Sequence, residues 1–258
     1  MQIAKTTLRG GIAGPLLEDQ TIVVTGAAGG IGRVVSSVLA EASARLVLID
    51  RPGPALHDLE DALGAHTDVR AVDATQQGEM RSLVKETEQT LGPIDGLVNC
   101  AGLWEITPWD EIDGDQWHRV LEANLRSAFV CCQSVLPEMV SRRKGSIVNF
   151  ASTAGEYGSI SPASHYAAAK GGVIAMTKSL AREVGEFNVR VNAISPGPTD
   201  TVALGAVSSE DKARVGRRTL LGRLAQPEEM AHGVLYLVGP LSTFVTGHVL
   251  RVNGGSLL

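Results

Sequence analysis

Thr21-Ile-Val-Val-Thr-Gly26-Ala-Ala-Gly29-Gly30-Ile-Gly32-Arg33-Val-Val-Ser-Ser-Val-Leu-Ala-Glu41 is the stretch that decides the fold. An apolar run of strand length leads into closely spaced glycines and then into a helical pattern. Glycine lets the backbone turn sharply and approach a pyrophosphate, and the free amides at a helix N-terminus bind anions. The stretch therefore predicts a strand, a phosphate-binding turn and a helix, the first unit of a dinucleotide-binding α/β domain.

The next apolar run, Ala44-Arg-Leu-Val-Leu-Ile-Asp50, ends in an acid about twenty residues after the turn. A carboxylate at this position can accept hydrogen bonds from the ribose hydroxyls of an adenosine. It would repel a 2′-phosphate, so Asp50 predicts NAD as the cofactor in preference to NADP. Arg51 follows directly and could reach such a phosphate, which is the argument for NADP.

Strand-length apolar runs and helical patterns alternate along the rest of the chain, which predicts a single α/β domain with a doubly wound, Rossmann-like, seven-stranded parallel sheet and helices on both faces. The domain is expected over residues 17–258, after an N-terminal extension over 1–16 and with a substrate lid near 198–225. The predicted strands are 21–25, 45–49, 69–72, 94–99, 145–151, 189–194 and 248–252. The predicted helices are 30–42, 54–64, 77–91, 115–140, 164–186 and 227–237.

Tyr166 and Lys170 stand four residues apart, so a helix would stack a phenol and an ammonium on one face. A free phenol has a pKa near 10, and a fixed ammonium beside it would lower that pKa toward the neutral range. The pair could therefore serve as a general acid/base. Spacing alone is also compatible with an accidental surface pair.

Taken with the glycine turn, these residues resemble the short-chain dehydrogenase/reductase family from about Leu17 to Gly255. Thr25-Gly-x-x-x-Gly30-x-Gly32 is similar to that family's glycine pattern, and Asn99-Cys-Ala-Gly102 to its Asn-Asn-Ala-Gly turn, with cysteine in the second place. The resemblance implies a catalytic tetrad and a cofactor site. The implied catalytic residues are Asn124, Ser152, Tyr166 and Lys170. The implied cofactor-binding residues are Gly26, Gly30, Ile31, Gly32, Asp50, Arg51, Asp73, Asn99, Ala101, Gly102, Tyr166, Lys170, Pro196, Gly197 and Thr199.

The same resemblance implies hydride transfer between a secondary alcohol and NAD, with Tyr166 exchanging the hydroxyl proton. Lys170 would lower the phenol pKa, Ser152 would bind the substrate oxygen, and Asn124 would hold a water linked to Lys170. Two alternatives remain open at single positions: Asn124 as a buried helix asparagine bonded to a backbone carbonyl, and the neighbouring Thr153 as the active hydroxyl.

The substrate is less defined by the sequence. Ser152, Tyr166 and Trp104 are the predicted substrate-binding residues, and the lid is rich in small apolar residues. A secondary alcohol is the main interpretation. The alternatives are a reductase of 3-oxoacyl thioesters carried on acyl carrier protein, and a non-catalytic dinucleotide sensor on the same fold.

Composition excludes several classes. The net charge of −5 and the lack of a basic cluster are unlike a nucleic-acid or anionic-membrane binder. No apolar run approaches the length of a spanning helix, and a cytoplasmic location is the default expectation. Six scattered histidines and three cysteines predict neither a metal site nor disulfides. The family resemblance implies a homotetramer, with helices 115–140 and 164–186 at one interface.

Overall fold

Seven parallel strands form one sheet in the order β3-β2-β1-β4-β5-β6-β7. The structure, a computed structural model, describes residues 16–63, 67–201 and 208–256. The predicted N-terminal extension lies outside the described residues except for Leu16, and so do residues 202–207 of the predicted lid. The strands are β1 (Thr21–Thr25), β2 (Arg45–Asp50), β3 (Thr67–Ala71), β4 (Ile94–Asn99), β5 (Gly145–Phe150), β6 (Val189–Pro196) and β7 (Val249–Val252).

Helices cover both faces of this sheet. They are α1 (Gly30–Glu41), α2 (Pro54–Leu63), α3 (Gln77–Thr90), α4 (Gly114–Leu121), α5 (Ser127–Arg142), α6 (Thr153–Tyr157), α7 (Ser164–Val184), α8 (Ser209–Gly216) and α9 (Pro227–Val238). The predicted doubly wound α/β fold is thereby confirmed. Because successive strand side chains alternate between faces, Ile22 and Val24 pack into the core beneath α1 and α9, whereas Val23 packs beneath α3, α5 and α7.

The strand order reverses direction at β1, whose neighbours are β2 on one side and β4 on the other. In such sheets the crevice beyond the carboxyl ends of the strands at the reversal is the usual ligand site. The ends of β1, β2, β4 and β5 carry Gly26, Asp50, Asn99 and Ser152, so the fold gathers the predicted site residues at one edge.

One predicted helix differs in the structure. Residues 115–140 are not a continuous α-helix: α4 and α5 are separated by a π-helical segment, Glu122–Arg126, that contains Asn124. Two short helices, α6 and α8, follow β5 and the undescribed part of the predicted lid, and were not predicted. Within the described ranges, no helix has both the length and the apolar character needed to cross a bilayer.

Candidate active site

The glycine turn that joins β1 to α1 leaves no room for a side chain at Gly26 or Gly32. Gly26 has φ +66°, and a Cβ placed on it would lie 2.6 Å from the Cα of Ala101. A Cβ on Gly32 would collide with the carbonyl oxygen of Gly26. The turn is further fixed by a hydrogen bond of 3.1 Å from the Gly29 amide to the Gly26 carbonyl. The N-terminus of α1 is thus exposed beside a bare backbone, which fits the pyrophosphate of a dinucleotide. Gly30 and Ile31 form its first turn.

Asp50 projects from the end of β2 toward this turn. Its Oδ2 accepts a hydrogen bond of 3.0 Å from the Ala28 amide, and its Oδ1 one of 2.8 Å from the Arg51 amide. Both oxygens keep a free lone pair, since each carboxylate oxygen accepts two bonds. Asp50 and Arg51 line a cleft of about 700 Å³ together with Asp73, which accepts bonds from Thr75 and so shapes its own loop. The protein alone therefore orients the Asp50 carboxylate for a ribose.

The turn after β4 forms the floor of the cleft, to which Cys100, Ala101 and Gly102 contribute. The Asn99 side chain lies beneath that floor: it is 3% exposed and donates a hydrogen bond of 2.8 Å to Asn149 Oδ1. Asn99 was predicted to bind the cofactor, and its side chain is not among the described groups that line the cleft. The side chain fixes the sheet below Ala101 and Gly102, and a contact of Asn99 with the cofactor stays a prediction.

Ser152, Tyr166 and Lys170 converge at the inner end of this floor. The Lys170 ammonium is 4% exposed and donates a hydrogen bond of 2.7 Å to the Phe150 carbonyl. Its Nζ lies 5.7 Å from the centre of the Tyr166 ring and 3.5 Å from the place a Cβ on Gly102 would occupy. The Ser152 hydroxyl lies close enough to the Tyr166 phenol to lower its pKa. The structure therefore brings Ser152, Tyr166 and Lys170 together at this end of the cleft.

Burial is the main influence on the pKa values of Tyr166 and Lys170. Burial raises the pKa of Tyr166, and the nearby Ser152 hydroxyl only partly opposes this effect. Burial also lowers the pKa of Lys170 to about 8. Desolvation disfavours the charged form of both groups, and the expectation that Lys170 lowers the phenol pKa stays a prediction.

Asn124 lies at the same corner of the floor as Lys170, since its Oδ1 is 2.7 Å from the place a Cβ on Gly102 would occupy, and its role in holding a water stays a prediction. Its side chain donates hydrogen bonds of 2.8 Å to the carbonyls of Leu103 and Val120, and its Oδ1 accepts one of 3.3 Å from the Leu103 amide. The amide group is thus occupied by backbone and ties the loop after Gly102 to the π-helical segment. π-helical turns are frequent at functional sites. Here the turn places Asn124 1% exposed behind the floor of the cleft.

The remaining predicted residues lie at the end of β6. Pro196 is the last residue of that strand, the Gly197 amide donates a hydrogen bond of 3.0 Å to the Val252 carbonyl, and Thr199 is buried at a bridge to Ala225. Trp104 is 44% exposed and is not among the described residues that line the cleft.

Sequence reasoning missed several cleft residues. Cys100, whose place in the Asn99–Gly102 turn the sequence showed, also lines the cleft, and burial raises its thiol pKa to about 12. Glu105 and Arg119 form an ion pair of 3.0 Å on the cleft wall, and no spacing pattern connects them. Among the described residues no cluster of His, Cys, Asp or Glu could hold a metal ion.

Comparisons with known proteins agree with this geometry. Residues 26–256 match the family model described as enoyl-(acyl carrier protein) reductase. The chain is 34% identical to the 3-oxoacyl-(acyl-carrier-protein) reductase of Thermotoga maritima, over 94% of this chain and 99% of that protein. It is also 34% identical to the enzyme of the same name from Vibrio cholerae, over 93% and 98%. The chain belongs to the short-chain dehydrogenase/reductase family.

Solved structures of short-chain dehydrogenases/reductases superpose closely on it. A 3-oxoacyl-(acyl-carrier protein) reductase from Brucella melitensis has a TM-score of 0.90 at 32% identity, over 99% of this chain and 97% of that one. A glucose/ribitol dehydrogenase of the same family and organism has a TM-score of 0.88 at 33% identity, over 94% and 98%. The chain is an oxidoreductase of this family, and the family uses a nicotinamide dinucleotide. The predicted family is confirmed.

Proposed function

We propose that this short-chain dehydrogenase/reductase interconverts a ketone and a secondary alcohol with NAD(H), and that Tyr166 exchanges the proton. The observation that carries this proposal is the convergence of Ser152, Tyr166 and Lys170 at the inner end of the cleft, where Lys170 Nζ lies 5.7 Å from the centre of the Tyr166 ring. A hydroxyl pair of this kind can hold a carbonyl oxygen in place while one of its members gives up a proton.

Each residue has a role that its surroundings support. When bound, the nicotinamide would supply or accept the hydride. Ser152 Oγ accepts a bond of 3.1 Å from the Ala154 amide, so its proton is directed away from the backbone and toward Tyr166 or the substrate oxygen. Because burial raises the Tyr166 pKa, the phenol is protonated near neutral pH, the form that donates a proton to a ketone. The free protein is therefore poised for reduction.

NAD(H) is the proposed cofactor because of Asp50. Its two carboxylate oxygens are oriented by the Ala28 and Arg51 amides and face the dinucleotide cleft. A 2′-phosphate would bring a second negative charge against this carboxylate, whereas two ribose hydroxyls would donate to it. Arg51 is exposed and lies at the rim of the same cleft, where it can flank an adenine.

The relatives favour 3-oxoacyl thioesters as the substrate class over a simple secondary alcohol. Both curated relatives described above are 3-oxoacyl-(acyl-carrier-protein) reductases, and each aligns over nearly its whole length. We therefore rank a 3-oxoacyl thioester first among the ketones to be tested. The sensor alternative is disfavoured because Ser152, Tyr166 and Lys170 are all assembled. Homotetrameric assembly, implied by the resemblance, stays a prediction.

Initial rates of dinucleotide oxidation would test the proposal, with acetoacetyl-coenzyme A, a simple β-keto ester and an unactivated ketone, each with NADH and with NADPH. Tyr166→Phe should abolish turnover, and Tyr236→Phe on α9, which removes a partly exposed hydroxyl, should leave it unchanged. Turnover by Tyr166→Phe at the wild-type rate would refute the proposed role of the phenol.

Cofactor choice has its own variant. Asp50→Asn should weaken NADH binding by about 10- to 100-fold, the worth of charge-assisted hydrogen bonds. The variant should also show a smaller difference between its affinities for NADH and NADPH, because it has no carboxylate to repel the 2′-phosphate. A wild-type preference for NADPH would refute our interpretation of Asp50.

A further inference from the structure

We propose that Glu156 is a positioning residue that holds Ser152 against Tyr166, an inference that rests on the proposed function and adds a residue to its machinery. Glu156 lies in α6, the five-residue helix that begins directly after Ser152. No sequence pattern drew attention to it, and it lies outside the dinucleotide cleft.

Glu156 anchors α6 to the sheet through two short hydrogen bonds. Its Oε1 accepts a bond of 2.6 Å from the Ser195 hydroxyl, and its Oε2 one of 2.6 Å from Arg251 Nε. The carboxylate side chain is only 10% exposed, and Ser195 is fully buried. Ser195 and Arg251 are register partners on β6 and β7, so one carboxylate clamps α6 to two strands at once.

The opposite side of α6 packs tightly against α7 at Gly155. A Cβ on Gly155 would lie 2.5 Å from the carbonyl carbon of Lys170 and 2.6 Å from the amide nitrogen of Gly171. The helix is therefore held between the backbone of α7, which carries Tyr166 and Lys170, and the Glu156 anchor. A helix this short makes too few internal hydrogen bonds to keep its own place.

Ser152 is the N-cap of α6, which connects the anchor to the chemistry. Its carbonyl accepts a bond of 2.9 Å from the Gly155 amide, and its Oγ accepts the Ala154 amide. Any displacement of α6 therefore displaces the Ser152 hydroxyl from Tyr166. The nearby Ser152 lowers the phenol pKa, so moving Ser152 away would raise that pKa further.

Three variants separate positioning from general stability. Glu156→Leu removes both bonds, and Glu156→Gln keeps an oxygen that can accept from Ser195. Glu88→Leu is the matched control: it removes a half-buried ion pair of 2.9 Å with Arg142, between α3 and α5 and away from the cleft.

The first readout needs no turnover. The chain has three tyrosines, so the carbon-13 signal of the Tyr166 phenol can be assigned with Tyr166→Phe and followed from about pH 8 up to about pH 12, above the ordinary phenol pKa of about 10. Ionisation of Tyr166 should move to higher pH in Glu156→Leu, in the same direction as in Ser152→Ala. It should stay near the wild-type position in Glu156→Gln and in Glu88→Leu.

The second readout is a double-mutant cycle on kcat. We expect Ser152→Ala to lower kcat by about 100-fold, as for loss of one donor to a reacting oxygen, and Glu156→Leu by about 10-fold. In the Ser152→Ala background, Glu156→Leu should cost less than about 2-fold more, because the hydroxyl it positions is absent.

Additive losses in the cycle, or an unmoved Tyr166 titration in Glu156→Leu, would overturn the proposal. If the wild-type protein turned over none of the ketones, the proposed function would fail on its own, and the Tyr166 titration would still decide whether Glu156 positions Ser152. NADH binding, measured by fluorescence, should match the wild type within about 2-fold in Glu156→Leu, Glu156→Gln and Glu88→Leu and would show that each is folded.

Discussion

Replacing Lys170 with methionine should make the protein without cofactor more stable at neutral pH while removing its activity. Lys170 is 4% exposed, and its ammonium has one hydrogen bond, to the Phe150 carbonyl. Methionine has a similar length and no charge, so it fills the same space. Buried ammonium groups are costly because the protein interior solvates them poorly. Such a trade of stability for function is common at catalytic positions.

The magnitude follows from the pKa. Folding depresses the Lys170 pKa from 10.5 to about 8. At about 1.4 kcal/mol for each pKa unit, holding the ammonium at neutral pH costs about 3 kcal/mol of stability. Loss of the hydrogen bond to Phe150 destabilises the variant by about 1 kcal/mol. We therefore expect Lys170→Met to be about 2 kcal/mol more stable than the wild type at pH 7.

The depressed Lys170 pKa determines how the stability of the wild type changes with pH. Between about pH 8 and pH 10.5 the unfolded chain keeps a proton that the folded chain has lost, so wild-type stability rises with pH across that window. Above it both states hold a neutral amine and the cost disappears. The advantage of Lys170→Met should then vanish or reverse, since only the wild type still bonds Phe150.

Urea unfolding of both proteins at about pH 7 and about pH 10, at one fixed protein concentration, measures this difference. Lys178→Met is the matched control, because Lys178 is exposed on the same helix; its effect should stay within about 0.5 kcal/mol. A Lys170→Met variant less stable than wild type by the same amount at both pH values would refute the reasoning, because the ammonium would then be a net stabiliser.

Three further predictions concern other parts of the site. Gly26→Ala should cost more than about 2 kcal/mol and abolish NADH binding by calorimetry, because a Cβ there would lie 2.6 Å from Ala101 at φ +66°. Gly53→Ala, which would meet nothing within 4 Å, is the control. Cys100, with its pKa raised from 9.0 to about 12, should react with iodoacetamide at pH 8 about 1000-fold more slowly than a free thiol, as judged by mass spectrometry; alkylation at the free rate would contradict its burial. Asp113→Ala removes the side-chain cap of α4 and should lower the urea unfolding free energy by about 1 kcal/mol, whereas no change would mean that the cap contributes nothing.

The sequence was sufficient for features that local chemistry determines. Strand β1, the turn at Gly26 and the start of α1 at Gly30 follow from apolar residues that end in glycines, and the structure places them as predicted. The π-helical segment was not predictable in this way. Glu122–Arg126 has ordinary helical residues, and its irregular turn accompanies bonds between Asn124 and Leu103, twenty-one residues away in the chain.

In the active site too, some features could be predicted from the sequence and others depend on tertiary contacts. Family resemblance named Ser152, Tyr166 and Lys170, and the fold brings them together. Their charges could not be predicted from spacing, because the pKa values of Tyr166 and Lys170 are set by burial more than by each other. Glu156 was invisible to sequence reasoning, since its partners are thirty-nine and ninety-five positions away.

The π-helical segment also bears on how this chain could change in length. A π-helical turn takes one residue more than an α-helical turn needs. Deleting one residue within Glu122–Arg126 would therefore let α4 and α5 join as one regular helix, each half keeping the face it already buries. Such a shortened chain would retain its core, but Asn124 would lose its position beneath the loop and its hydrogen bond to Leu103. An insertion or deletion in this helix would therefore alter the active site while leaving the packing of the core intact.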